Sequence, residues 1–188
     1  MNTIIESHIE TYEVKRSKFI AHLVPIDEFE GLQEKLRAEH PKANHVVYAL
    51  RYLNEFEQIV ENSSDDGEPK GSSAPPALNV LRGEDMINVA VLIVRYFGGT
   101  KLGIGGLVRA YGSSVKQVIA NSKVILYEKM LDFHFNTTYS EIQKITYILD
   151  KIGITQIERK FLNDGVEWSI KSTEKKLKEF KEERRCMR

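Results

Sequence analysis

The chain has 188 residues, 41% hydrophobic and 29% charged, which suits one large or two small domains with a real core. Its 27 basic and 27 acidic residues cancel, so any attraction to nucleic acid must come from local segregation of charge. The single Cys186 excludes an internal disulfide framework, no apolar run approaches membrane-spanning length, and MNTIIESHIE lacks the features of a secretory signal, so a cytoplasmic protein outside the membrane is expected.

In chain order, Lys15, Arg16 and Lys18 form a basic cluster leading into a predicted strand at 19–24; the cluster reads as an exposed strand end. Asp27 and Glu30 have capping-box spacing, and Phe29, Leu32 and Leu36 supply one face of a helix that stops at His40-Pro41. Between 44 and 52, Val46, Tyr48, Leu50 and Tyr52 alternate with His45, Val47, Ala49 and Arg51, which predicts a strand. No second His or Cys lies near His45 at metal-ligand spacing, so no metal site is expected. Residues 61–76, ENSSDDGEPKGSSAPP, have the composition of a flexible loop. Ser72 or Ser73 is placed to cap a short helix containing Leu78, Val80 and Leu81, which Gly83 ends.

Residues 87–127 contain no Asp or Glu but carry Arg95, Lys101, Arg109, Lys116 and Lys123. The apolar run 89–97 has strand length, and the turn after it holds five glycines in nine residues, Gly98, Gly99, Gly103, Gly105 and Gly106. Leu107, Tyr111, Val115 and Val118 then recur at helical spacing, with Arg109, Ser113 and Lys116 on the opposite face. A strand, a glycine loop and a helix start can hold an anion, because backbone N–H groups approach the ligand and the helix N-terminus carries unpaired donors. The turn matches neither the phosphate-loop nor the dinucleotide fingerprint, because the glycine and lysine spacings differ.

Beyond this stretch a strand is predicted at 131–135, and Thr138 with Glu141 forms a capping box. Ile142, Ile145, Leu149 and Ile152 make the apolar stripe of a helix closed by Gly153. Strands at 154–161 and 166–170 join at Asn163-Asp164-Gly165, and a charged helix at 174–185 is anchored by Leu177 and Phe180. This β-α-β-β-α order predicts a ferredoxin-like second domain that lacks its last strand, with domains at 1–130 and 131–188.

Several pieces together resemble the YigZ/IMPACT family, in its bacterial YigZ-like branch. They are Lys15-Arg16-Ser17-Lys18-Phe19-Ile20-Ala21, Asn44-His45, Asp66-Gly67-Glu68-Pro69 and Gly71-Ser72-Ser73-Ala74-Pro75-Pro76. The longest are Val94-Arg95-Tyr96-Phe97-Gly98-Gly99-Thr100-Lys101-Leu102-Gly103 and Gly106-Leu107-Val108-Arg109-Ala110-Tyr111. The resemblance implies an α+β protein of two domains. The first would share the fold of the second domain of the S-five-type ribosomal protein, with a left-handed βαβ crossover. The second would resemble domain V of elongation factor G.

The leading expectation is a non-enzymatic module that binds RNA or the ribosome and modulates translation under stress. Arg95, Gly98, Gly99, Lys101, Gly103, Gly105, Gly106, Arg109, Ser113 and Lys116 form the candidate anion or nucleic-acid surface. His45, Asp66, Glu68, Ser72 and Ser73 are candidate pocket-wall residues. Two other readings stay open: an enzyme or sensor for a phosphorylated small molecule or nucleotide at the glycine-rich turn, and a protein–protein adaptor. No nucleophile–base–orienter set is legible, which leans against catalysis without deciding it. No cofactor and a monomer are expected, with a phosphate-like anion as ligand. Asp66 and Glu68 should pair with Arg95, Lys101 or Arg109 and order the loop. Phe97 is expected in the core by alternation with Val91 and Ile93, and Tyr111 by the helical stripe. RNA would then be read through its phosphates, with little sequence preference.

Overall fold

The apolar run of the acid-free stretch forms the middle strand of a five-stranded sheet, and that position explains its composition. The computed structural model describes residues 1–185; Cys186 lies outside them. Two units are present, Met1–Tyr127 and the residues from Glu128 onward. In the first, β1 (Asn2–Ile4), β2 (His8–Val14) and β3 (Ser17–Pro25) precede α1 (Leu32–Glu39). Then come β4 (His45–Leu53), β5 (Ile59–Ser64), α2 (Ala74–Gly83), β6 (Val89–Tyr96), α3 (Ile104–Asn121) and β7 (Val124–Leu126).

The large sheet has the order β2-β3-β6-β4-β5 with every neighbouring pair antiparallel, and β1 pairs separately with β7. Helices α2 and α3 cover one face, where Val91 and Ile93 of β6 meet Ala77, Leu81, Tyr111 and Val115. Helix α1 covers the other, where Leu36 packs with Ala90, Leu92 and Val94. β6 is therefore apolar at successive positions, because neither face meets water. Burying each of its large aliphatic side chains contributes about 1.5–3 kcal/mol, so this strand anchors the core.

The topology fixes a chirality. β3 and β4 both run antiparallel to β6, so β3-α1-β4 is a parallel crossover that steps over β6. By the same logic β5-α2-β6 steps back over β4. Turned to the same strand direction, the two crossovers step the same way, yet α1 and α2 lie on opposite faces. They must have opposite hands, and one is left-handed, against the usual right-handed rule. The fold implied by the resemblance contains such a crossover.

Local differences from the sequence expectation have physical causes. The basic cluster is a two-residue hairpin turn: Val14 pairs with Ser17, and Lys15 and Arg16 adopt φ of 47° and 63°. The capping box at Asp27 and Glu30 does not form. A 3₁₀ turn occupies Ile26–Glu28, and α1 starts only after Gly31 at φ 74°. The first part of the expected loop pairs with β4 as β5. Ser73 stands before α2, but its hydroxyl donates to Asp65 Oδ1 at 2.5 Å instead of capping the helix.

The second unit contains β8 (Met130–Thr137), α4 (Ile142–Ile152), β9 (Gln156–Leu162), β10 (Gly165–Thr173) and α5 (Glu174–Arg185). The Thr138–Glu141 capping box is formed, leading through a 3₁₀ turn into α4. The sheet order β8-β10-β9 makes β8-α4-β9 a split crossover with β10 between its strands, the ferredoxin-like arrangement. Among the described residues this sheet has three strands. Trp168, Phe180 and Leu149 are the largest sealed side chains of this unit's core, and Trp168 Nε1 donates to Thr137 Oγ1 at 2.8 Å.

Candidate functional site

The end of β6 sets the site. Arg95 stands in register with Phe19 of β3 and His45 of β4, which places its guanidinium 5.6 Å from the Phe19 ring centre. It is only 7% exposed, and its Nη1 donates to Glu68 Oε1 in a buried ion pair. Tyr111 of α3 donates its hydroxyl to the same oxygen at 2.7 Å. Burial, then the Glu68 carboxylate, push the Tyr111 phenol far above its usual range, so it acts here as a donor. Arg95 is thus paired with Glu68, one of the acids expected to hold it, and its Nε is buried without a hydrogen-bond partner among the described residues.

Two aspartates shape the loop that delivers Glu68. Asp65 Oδ1 accepts the N–H groups of Ser73 and Ala74 at 3.2 and 2.8 Å, and Oδ2 accepts that of Gly71 at 2.7 Å. Burial opposes the charge on Asp65, but hydrogen bonds from Ser73, Gly71 and Ala74 outweigh it and hold the carboxyl below its usual range. Asp65 thereby does the capping work at α2 that the sequence assigned to a serine. Asp66 turns away from the glycine turn: it pairs with Arg37 of α1 and accepts the Val46 N–H at 2.6 Å. Only the Glu68 half of the expected loop–turn pairing forms.

His45 lies between loop and sheet. Its Nδ1 is 2.7 Å from the Asp66 carbonyl oxygen, which can only accept, so Nδ1 carries the proton. Nε2 then faces Glu68 Oε1 at 3.9 Å. Neither serine joins this pair. Ser73 Oγ is bonded to Asp65, and Ser72 Oγ is buried without a hydrogen-bond partner among the described residues.

The glycine turn leaves β6 across the β2–β3 hairpin. A Cβ on Gly98 would lie 2.1 Å from the Arg16 carbonyl carbon, so only glycine fits, and its N–H donates to Ser17 Oγ at 3.1 Å. Gly103 sits just before α3 with φ 73° and ψ 167°, and no side chain caps the helix start. Gly99 and Gly105 are exposed beside it, while Gly106 packs close to Leu102. Lys101, Arg109 and Lys116 are exposed, with Ser113 half-buried on the same side of α3; no carboxylate pairs with these three cations among the described residues.

A cleft of about 340 Å³ opens between loop and turn, lined by His45, Glu68, Arg95, Phe97, Lys101 and Ile104. Arg109, Ser113, Lys116, Asp66, Ser72 and Ser73 lie outside its walls. Phe97 is 44% exposed, which corrects its assignment to the core: β6 ends at Tyr96, and the alternation ends with it. Tyr111 is fully buried, as expected. Asn44, whose Oδ1 accepts the Phe97 N–H at 2.8 Å, was not among the candidate residues, and neither was Arg37. Asn44 had a signal in its place beside His45 in a family motif; Arg37 had none.

The arrangement is that of a two-unit α+β protein with a cationic helix face next to a small polar-edged cleft. No helix among the described residues is long and apolar enough to cross a membrane. Residues 15–119 match the family described as the Impact N-terminal domain. The IMPACT family member YvyE of Bacillus subtilis is 30% identical, over 91% of this chain and 86% of its own. The IMPACT family member YigZ of Escherichia coli is 34% identical, over 73% and 69%. A crystal structure of a hypothetical protein superposes with a TM-score of 0.64 at 28% identity, covering 95% of this chain and 88% of the other. The chain belongs to the IMPACT family.

Proposed function

We propose that this protein is a non-enzymatic module that binds RNA through its phosphates and modulates translation. The observation that carries the reading is the charge on one side of α3. Lys101, Arg109 and Lys116 are exposed without acidic partners beside a helix start that no side chain caps. The nearest buried cation, Arg95, is by contrast neutralised by Glu68. Cations and backbone donors on one surface suit a polyanion, whose phosphates are contacted in series. The translational role follows from the family resemblance, whose first-domain fold is that of ribosome-associated proteins. The expected domain division near residue 130 belongs to the same reading; the compact units part between Tyr127 and Glu128, ahead of β8, and the phosphate contacts are assigned to the first.

Crosslinking the protein in cell extract and sequencing the bound nucleic acid tests the partner; ribosomal RNA is the expected capture. Titrating purified protein with short RNA over a range of salt tests the mode. The logarithm of affinity should fall linearly with the logarithm of salt concentration. RNA binding indifferent to salt, or no RNA binding, overturns the reading.

A further inference from the structure

We propose that the outer edge of β8, in the second unit, takes an extended acidic segment of a partner protein as an added antiparallel strand. The two-residue turn at Asn163-Asp164 makes Leu162 and Gly165 a hydrogen-bonded pair, and the alternation it starts can be followed across the sheet. Val166, Trp168 and Ile170 then turn their backbone groups to Thr137, Phe135 and Phe133 of β8. The N–H and C=O groups of Asp132, His134 and Asn136 point the other way, out of the sheet. Arg184 Nη2 donates to the Asn136 carbonyl from outside at 2.9 Å, which agrees with that direction. The edge groups of Asp132 and His134 have no partner among the described residues, and both residues are exposed. A row of unmet donors and acceptors is what an incoming strand pairs with.

The surface beside this edge decides the chemistry of the strand. A groove of about 470 Å³ is lined by Phe133 of β8 and by Lys178, Lys181, Glu182, Arg184 and Arg185 of α5. Lys181 Nζ stands 4.4 Å from the centre of the Phe133 ring, and the Arg184 guanidinium 4.4 Å from that of Phe135. Four cations thus meet one carboxylate, Glu182, in the lining. Lys178 is held by Glu174 at 2.7 Å, but Lys181 and Arg185 have no carboxylate partner among the described residues. An antiparallel neighbour of β8 sends the side chains opposite Phe133 and Phe135 over this groove, so Asp or Glu belongs at those alternate positions. A second copy of the chain would bring the same cations and be repelled. The phosphates of RNA would meet the cations but carry no donor for the edge carbonyls. The pairing also fixes which peptide N–H groups are used. Residues exchanging hydrogen bonds with Asp132 and His134 share their outer face, so they lie between the acids.

The test is fluorescence anisotropy of the full chain with labelled short peptides that alternate Glu with Val or Lys with Val. The Glu peptide should bind about tenfold more tightly than the Lys peptide. N-methylation of its Val residues, which removes the N–H groups facing β8, should weaken it about tenfold, whereas N-methylation of its Glu residues should leave it within about threefold. Lys181→Glu with Arg185→Glu should erase the preference for Glu, with thermal melting reporting that α5 stays folded; the methylated peptides need no variant. Equal affinities for the Glu and Lys peptides, or equal effects of the two methylation patterns, overturn the proposal. So does a single-stranded RNA whose binding depends on Lys181 and Arg185 while neither peptide binds, which would assign the groove to nucleic acid.

Discussion

Arg95 and Arg109 lie in the same acid-free stretch, fourteen positions apart, and meet opposite fates. Arg95 points into the interior from a central strand and is matched there by Glu68, a residue of a different segment. Arg109 projects from the outer side of α3 and has no carboxylate partner among the described residues. The absence of acids along the stretch therefore does not predict free charge residue by residue. Free charge depends on whether the element presents its side chain to the layer where another segment's acids are held.

The sharpest way to break this contrast is Glu68→Ala. It strands a buried guanidinium and removes the acceptor of Tyr111, so urea unfolding should show a loss of about 3–5 kcal/mol. A loss below about 1 kcal/mol would mean that Arg95 is no more committed than Arg109. Next in size is Asp65→Ala, which removes the acceptor for the N–H groups that start α2 and should cost about 1–2 kcal/mol.

The same aspartate gives a pH signature. Its folded pKa is depressed below the unfolded value of about 4, so its stabilisation is present above that pH. The stabilisation is lost as pH falls through the folded pKa. Asp65→Asn should flatten the acid limb of the stability curve; an unchanged limb would show that other carboxyls set it.

The exposed side of the contrast should respond in binding rather than in folding. Arg109→Ala with Lys116→Ala should leave stability within about 0.5 kcal/mol. It should weaken all RNA sequences about equally and reduce the salt slope by about one to two contacts. The smallest structural change is Gly105→Val. A Cβ there meets only the tip of Arg109, at 3.7 Å, so the fold should be kept while titrated phosphate no longer binds at the start of α3. Unchanged phosphate uptake would move the anion site elsewhere.

Much of the fold was legible because several elements announce themselves locally. β6 is an unbroken apolar run, α4 has both its capping box and its stripe, and the β9–β10 hairpin carries Asn163-Asp164-Gly165. β1 and β7 were not legible, since three-residue strands have no room for a period and they form by pairing with segments far away in the sequence. Charge balance named Asp66 and Glu68 as partners for Arg95, Lys101 or Arg109 without choosing among them, and of these only Glu68–Arg95 forms. The Asp66–Arg37 pair could not be read, because nothing in either residue's surroundings names the other. Phe97 was misplaced because alternation holds only while the strand continues, and no sequence signal marked its end at Tyr96.

The β1–β7 pairing brings the two ends of the first unit together. Asn2 stands opposite Leu126, and the Tyr127 N–H donates to the Met1 carbonyl at 3.0 Å. Entry to and exit from this unit are thus one hydrogen bond apart, the geometry that tolerates circular permutation. A chain joined across residues 1 and 127 by a short linker and reopened in the exposed turn at Glu55–Glu57 should keep the same sheet order. Fraying at either end would be felt at the other, so this small ribbon acts as a clasp whose two halves lie at opposite ends of the unit's sequence.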